Sequence, residues 1–411
     1  MADRGAIHFT AALLQATLTA HRITAIVAPA WDGPQLWVFT CSLAMGMDPR
    51  KVERLADALA LAAGAASCRV SRQDGHLLIE IPKPESERRP LYARRLEEIK
   101  PPTKTAVAMG ITTGGKVAWL DLADERTCHV IIGGTTGSGK TTALRWLLYR
   151  LIRQNEPRDL RLLLLDPKRG ELELFDRVPH LLHPVTSHPV QIARVLAWVE
   201  GELNQRAATQ HRWPRLVIVV EEVADVLSVN PNLEQVLARV AQIGRGLNVH
   251  LVATTQQPGT ESLGKTIINF PARLVGRVAS ATLTYGATGR SRTMADQLLG
   301  RGDFLLITAS EVTRLQVPVM DGRQWGQLPR TDRVATLDEH LPSLAMVSDL
   351  FRDTRGRPGR PLSEEDYEAI ESALEGGADV DELRARFGIG YSRARRLRQL
   401  WEEINEGEEG V

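Results

Sequence analysis

The chain has 411 residues, 43% hydrophobic and 25% charged, with 51 basic residues (Lys+Arg) against 50 acidic ones for a net charge of +1. That composition belongs to a soluble globular protein with room for roughly two to four domains, and it excludes a disordered polyelectrolyte. Three scattered cysteines, Cys41, Cys68 and Cys128, exclude a disulfide framework or a metal knuckle. The lack of any apolar run of about eighteen residues excludes a membrane-spanning helix.

The opening MADRGAIHFT lacks the basic, apolar, small-residue order of a secretory signal. A reducing, cytoplasmic setting is therefore expected, with the cysteines packed as small hydrophobes. A first domain is expected over residues 1–100, of small α+β type. LWVFTCSLA, from Leu36, reads as a strand by its β-branched and aromatic content. DPRKVERLADALALAAG, from Asp48, reads as one helix with Asp48 as cap, Pro49 in the first turn and a closing glycine. SCRVSRQDGHLLIEIP reads as two strands about an Asp-Gly turn, and PKPESERRP as an exposed connector.

A second domain is expected over 101–340. HVIIGG, RLLLLDP, RLVIVVEE, VHLVATT and ARLVGRV are short continuous apolar runs between helical patterns. Strands buried on both faces have this form, so the fold class expected is α/β with a mostly parallel sheet. Residues 341–361 are expected to be a linker, containing the basic stretch RDTRGRPGRP. Residues 362–411 are expected to be a small helix-turn-helix domain. PLSEEDYEAIESALEGG gives a helix with Ser363 as cap and Asp366 three residues on. DVDELRARFG and GYSRARRLRQLWEEI give two more helices about FGIG.

The chemistry concentrates at GTTGSGKT, Gly134 to Thr141. It fits G-x-x-x-x-G-K-[ST], with a strand before it and a helix after, which is the context of a P-loop. Glycines let backbone N–H groups curl around phosphates, and the helix N-terminus adds attraction for an anion. Gly134, Thr135, Thr136, Gly137, Ser138, Gly139, Lys140, Thr141 and Thr142 are the expected ATP cradle. Lys140 reaches the β- and γ-phosphates, and the Thr141 hydroxyl binds Mg²⁺. LVIVVEE supplies the acidic partner: Glu221 holds the metal through water, and Glu222 polarises the attacking water. Gln256, after VHLVATT, is expected to sense the γ-phosphate from the side. His180, His183, His188, His211 and His250 have no metal-ligand spacing.

Taken in order, these motifs resemble the FtsK/SpoIIIE family of double-stranded DNA translocases. The resemblance rests on LLLLDPKRGELELF, VVEEVADV, GRGLNVHLVATTQQP, INFPARLVGRVAS and ADQLLGRGDFLL, and it covers roughly residues 35–310. KVERLADALALAAGAASCRV is similar to the small domain preceding the motor in that family. The resemblance implies a RecA-like motor assembled as a hexameric ring around duplex DNA, with ATP between subunits. It implies Arg245 as the arginine supplied in trans, with Arg273 as runner-up. Three departures stand out. Glu221 replaces an aspartate, Gln257 replaces an arginine, and Tyr285 stands where an arginine is expected, with Arg290 or Arg292 as substitutes. The family's membrane-spanning front end is missing from this sequence, which leads one to expect a free motor.

In the C-terminal pair of helices, Leu383, Phe387, Ile389, Ala394, Leu397 and Trp401 are the expected core positions. Tyr391, Ser392, Arg393, Arg395, Arg396 and Arg398 are left outward for DNA, the second helix entering the major groove. IGYSRARRL also resembles the winged-helix domain that reads orienting sequences in that family. Lys168 and Arg169, after LLLLDP, are candidate channel contacts to the DNA backbone. The expected activity is ATP hydrolysis coupled to duplex translocation. Two alternatives remain open: a single-strand transfer or packaging motor, and an ATP-gated DNA-binding switch with little turnover, which the Glu221 change favours.

Overall fold

A computed structural model of the protein describes residues 4–73, 75–229, 232–256, 258–259, 269–291, 293–342, 369–370, 372–374, 376–391, 394–395 and 397–398. The chain divides into two compact units. One comprises residues 1–154, 256–258 and 271–328, the other 155–255, 259–270 and 329–411.

The first unit opens with a helix that the sequence reading did not place, α1 (Arg4–Ala20). Its residues Ile7, Ala11, Leu14 and Leu18 recur at helical spacing and are all buried, so one stripe of the helix faces a core. That core lies on a four-stranded antiparallel sheet of order β1-β2-β4-β3, made of β1 (Ala25–Asp32), β2 (Leu36–Leu43), β3 (Arg69–Gln73) and β4 (His76–Pro82). Strand periodicity divides β2 and β4 between two environments. Trp37, Phe39, Cys41, Leu77, Ile79 and Ile81 pack with α1, while Leu36, Val38 and Leu78 turn to the other face, against Leu299.

The helix expected over 48–64 forms as two pieces, α2 (Arg50–Glu53) and α3 (Ala56–Ala62). The Asp48 carboxylate accepts from the Arg50 N–H at 2.9 Å, but Pro49 holds the N-cap position of the first piece, and the backbone departs from helical values at Leu55 (φ −95°, ψ 11°). The turn between β3 and β4 contains Gly75 at φ +78°. Cys41, Cys68 and Cys128 are buried free thiols. Burial pushes the thiol pKa of Cys41 up to about 11 and, with the nearby Glu80 and Asp57 carboxylates, that of Cys68 to about 12.

After α4 (Arg94–Glu97), the chain forms β5 (Ala106–Thr112), β6 (Val117–Asp121), β7 (Val130–Gly133) and α5 (Lys140–Gln154). Trp146 of α5 is fully buried and donates from Nε1 to the Ala108 carbonyl at 2.8 Å, which locks the helix onto β5. In the second unit come β8 (Leu160–Leu165), α6 (Pro189–Thr209), β9 (Arg215–Val220), α7 (Val223–Val229), α8 (Leu233–Ile243) and β10 (Val249–Thr255). The chain then returns to the first unit with β11 (Ala272–Val275), α9 (Ala281–Thr288), β12 (Asp303–Ile307), β13 (Val312–Gln316) and α10 (Gly322–Gly326).

All five apolar runs of the sequence are strands, and where they pair within a unit they pair in parallel: β8 with β9, β9 with β10, and β7 with β11. The expectation of a mostly parallel sheet is nonetheless corrected. In the first unit the order is β6-β5-β13-β12-β11-β7, with antiparallel pairing from β6 through to β11. Hairpin connections account for two of these pairings: residues 113–116 between β5 and β6 and 308–311 between β12 and β13 are too short for the crossover that a parallel neighbour needs. The architecture is therefore α/β with a mixed sheet.

Near the C-terminus α11 (Val380–Phe387) starts at a capping box, Asp379 accepting from Asp381 and Glu382 N–H, and ends at Gly388 (φ +63°). Leu383, Ile389 and Ala394 are buried with Ile370, Ala373 and Leu374, and Phe387 and Leu397 pack against them. The expected cap Ser363 and core residue Trp401 lie outside the described residues.

Candidate functional site

In the first unit, β7 ends in buried Gly133 and delivers the chain into a loop with three glycines in the positive-φ region, Gly134 (+142°), Gly137 (+79°) and Gly139 (+103°). An L side chain is strained at each. Gly139 is also required by space, since a Cβ there would sit 2.9 Å from the Gly302 nitrogen. Residue 135 is anchored by its N–H and Oγ1, both donating to the Arg277 carbonyl at 2.8 and 3.1 Å. Lys140, the first residue of α5, is buried and its Nζ donates to the carbonyls of Gly134 (2.7 Å) and Thr135 (3.2 Å). Thr141 and Thr142 follow, half-buried, in the first helical turn. The arrangement is a backbone cradle at a helix N-terminus with an ammonium group curled into it, and such a cradle fits a polyphosphate.

Gln256 is exposed, and its Oε1 accepts from the Thr136 hydroxyl at 3.3 Å. The structure thus brings this expected sensor to the cradle. Pro258 closes on the same loop, where a Cβ on Gly133 would lie 2.5 Å from the proline Cβ.

In the second unit β9 ends at Val220, and the two acids that follow are buried, Glu221 at 8% and Glu222 at 4% exposure. Glu222 is held at φ +45°, a region costly to a residue with a side chain. Two threonines at the end of β10 hold the pair. Thr254 Oγ1 accepts from the Glu222 N–H at 2.9 Å and donates to Glu221 Oε1 at 3.3 Å, and Thr255 Oγ1 donates to Glu222 Oε1 at 3.0 Å. Sequence reasoning missed both threonines. The signal available was two hydroxyl side chains closing an otherwise apolar run.

Asp166, just after β8, was read only as part of a motif. It is fully buried, and its Oδ2 accepts from the N–H groups of Glu171 and Leu172, each at 3.0 Å. Desolvation, then the Asp166 and Glu222 charges, raise the Glu221 pKa to about 7. A cation near Glu221 reverses that penalty. Among the described residues no group of three or more His, Cys, Asp or Glu could hold a metal ion. Hydroxyl, carboxylate and phosphate oxygens are the donor types that suit Mg²⁺.

Of the other expected residues, some are exposed and some are tied inward. Lys168 is exposed and paired with Asp225 at 2.7 Å, a hydrogen bond that raises its pKa. Arg169, also exposed and at φ +56°, donates from Nε to the Ser187 hydroxyl at 2.7 Å. Arg245 is exposed on the short helical turn Gly244–Leu247. Arg273 is tied inward: its Nη1 donates to the Gly286 and Ala287 carbonyls at the end of α9. Arg290 is likewise engaged, its Nη2 donating to the carbonyls of Thr308 and Ala309. Tyr391 is exposed with the Arg384 guanidinium 5.5 Å from its ring centre, and Arg395 is exposed. Ser392, Arg393, Arg396, Arg292 and Gln257 lie outside the described residues. No helix among the described residues is long and apolar enough to cross a membrane.

Comparison with known proteins places these features. Residues 1–84 match the FtsK alpha domain and residues 94–212 match the FtsK/SpoIIIE family. The chain is 30% identical over 428 residues to the DNA translocase FtsK of Clostridium tetani, covering 95% of this chain and 56% of the relative. It is 29% identical over 432 residues to the DNA translocase SftA of Bacillus subtilis, covering 95% of this chain and 43% of the relative. The chain therefore spans about half the length of these curated relatives. Among solved structures, the pCW3 conjugation coupling protein TcpA, in its monomer form with ATPγS, superposes with a TM-score of 0.51 at 16% identity. That match covers 77% of this chain and 96% of TcpA, and it supports the fold. With both domain signatures in sequence and relatives aligned along nearly its whole length, the chain belongs to the FtsK/SpoIIIE family.

Proposed function

We propose that this chain is an ATP-driven motor that moves double-stranded DNA, acting in the cytoplasm as a ring-shaped homo-oligomer, a hexamer by family resemblance. The observation that carries the reading is the glycine-built phosphate cradle, in a chain that also holds a threonine-clamped carboxylate pair and whose relatives are named DNA translocases.

In this reading ATP binds with its phosphates on the N–H groups of residues 134–142, and Lys140 leaves the loop carbonyls to meet the β- and γ-phosphates. Thr141 and Glu221 would hold Mg²⁺, whose charge would offset that of the phosphates. Glu222 polarises the attacking water, its carboxylate oriented by Thr255. Gln256 reports the γ-phosphate, and Arg245 of a neighbouring subunit stabilises the transferring group. Lys168 and Arg169 grip the DNA backbone, and the segment with Tyr391, Ser392, Arg393, Arg395 and Arg396 contacts duplex DNA. The domain limits follow the same reading: 1–100, 101–340, a linker over 341–361, and 362–411.

Glu221 in place of the family's aspartate, buried and with its pKa raised to about 7, favours a second reading, an ATP-gated DNA-binding switch with little turnover. Steady-state ATP hydrolysis, alone and with duplex or single-stranded DNA, separates the readings, with Lys140→Ala as control. Strong stimulation by duplex, lost in the control, is expected. Stimulation by single strands only would identify a transfer motor. Tight ATP binding without turnover on any DNA would identify the switch.

A further inference from the structure

The phosphate loop of the first unit rests on a second loop, residues 299–302. The Arg301 N–H donates to the Gly137 carbonyl at 3.0 Å, and the Gly302 N–H to the Ser138 carbonyl at 2.8 Å. These two bonds engage carbonyls of the loop whose N–H groups the proposed function assigns to phosphate. A loop that offers its N–H groups to an anion must turn its carbonyls away, and buried carbonyls need donors.

The supporting loop is strained. Gly300, Arg301 and Gly302 lie in succession at φ +74°, +50° and +93°. For Arg301, which carries a side chain, this conformation is strained and persists only where surroundings over-determine it. Those surroundings are a buried polar cluster. Asp303 Oδ2 accepts from the Leu299 N–H at 2.8 Å. Arg314 grips Asp303 with both prongs, Nε to Oδ1 at 2.9 Å and Nη2 to Oδ2 at 2.6 Å. Its third nitrogen, Nη1, donates to Glu80 Oε2 at 2.7 Å. The Arg301 carbonyl accepts from Gln316 Nε2 at 3.0 Å and from Gln35 Nε2 at 3.2 Å, and the Gly302 carbonyl accepts from the Val317 N–H at 2.7 Å.

Arg314, Glu80 and Asp303 are almost wholly buried, at 5%, 1% and 3% side-chain exposure. Well-packed apolar residues often stabilise a core as well as such a cluster does, so stability alone is a weak reason for it. Fixing a geometry is a better one. Glu80 and Gln35 belong to β4 and the β1–β2 turn, within the segment that matches the FtsK alpha domain. We propose that Gln35 and Glu80, with Asp303 and Arg314, are positioning residues through which the N-terminal α+β domain sets the shape, and hence the nucleotide affinity, of the phosphate loop. The proposal rests on reading residues 134–142 as that loop.

The test uses the full chain and ATPγS as the probe, by isothermal titration calorimetry, for wild type, Lys140→Ala, Gln35→Ala, Glu80→Gln and Asp303→Asn. Unfolding midpoints without nucleotide run in parallel. The expected result is a Kd raised about tenfold in the three network variants. KM rises with it while kcat is nearly kept, because uniform binding is what is lost. Variants that lower the midpoint but keep the wild-type Kd overturn the proposal, since a structural role alone predicts that outcome. If Glu80→Gln or Asp303→Asn fails to fold, Gln35→Ala decides, because it removes one hydrogen bond to the supporting loop. Loss of binding in Lys140→Ala with none in the network variants leaves the phosphate loop standing and overturns the network. A wild type that does not bind ATPγS overturns the phosphate-loop reading, and this proposal with it.

Discussion

Glu221 shows how one residue's surroundings become a measurable pH dependence. Its pKa in the fold is raised from 4.5 to about 7, first by burial and then by Asp166 and Glu222. Below pH 4.5 it carries a proton in folded and unfolded chains alike, and costs nothing. As the pH rises through 7 the unfolded chain ionises first, so stability on the order of 2–3 kcal/mol is lost across that window. Glu221→Gln should remove this slope and raise the unfolding midpoint at pH 8 in the absence of nucleotide, a shift read by thermal denaturation across pH. At Glu222 the threonine clamp makes a separate prediction. Thr255→Val leaves Oε1 without that donor, and kcat should fall about tenfold with little change in ATPγS affinity. Equal losses in binding and turnover would show that the clamp only supports the strand end. The two glutamates were legible as a pair after five apolar residues, but the threonines that aim them were not. A hydrogen bond between the ends of neighbouring strands depends on register, which one strand's sequence does not contain.

At the scale of elements, the phosphate loop is the clearest case of a motif carrying its own geometry. Gly134, Gly137 and Gly139 stand at positive φ as their spacing implies. Gly139 has a further reason that spacing does not reveal, the Gly302 backbone lying against it. Gly139→Ala should therefore abolish ATPγS binding, whereas Gly137→Ala, with nothing within 4 Å of its Cβ, should weaken it only through backbone strain. Equal effects in the same calorimetric titration would argue against the Gly302 contact. Apolar runs were also sufficient to locate β7 to β11, because strands covered on both faces are continuous in hydrophobicity. β5, β6, β12 and β13 escaped that reading, as did α1. The four strands belong to hairpins, β5 with β6 and β12 with β13, and the stripe of α1 is interrupted by threonines that bond their own helix, Thr10 to Ala6 and Thr17 to Leu13.

At the scale of the whole molecule, the arginine that completes the site is the decisive question. Arg245 is exposed on the turn Gly244–Leu247, and Arg273 and Arg290 each donate to backbone carbonyls. If Arg245 acts on a neighbouring subunit, Glu222→Gln and Arg245→Ala chains should each be inactive alone and recover part of the ATPase activity when mixed. A mixture as silent as its components would place the arginine in the same subunit's site, or nowhere in the reaction. Identity at this scale was readable in the one-dimensional pattern. Phosphate loops, acidic strand ends and buried strands are specified by neighbours a few residues apart, where covalent spacing sets geometry. What the pattern did not contain is how 299–302, Glu80 and Gln35 come to brace that loop, or why Asp166 burdens Glu221. Those contacts join residues up to 266 positions apart, as from Gln35 to Arg301. They exist only once the strands have paired, because burial turns a carboxylate or an amide into an obligatory partner, and folding alone decides which groups are buried together.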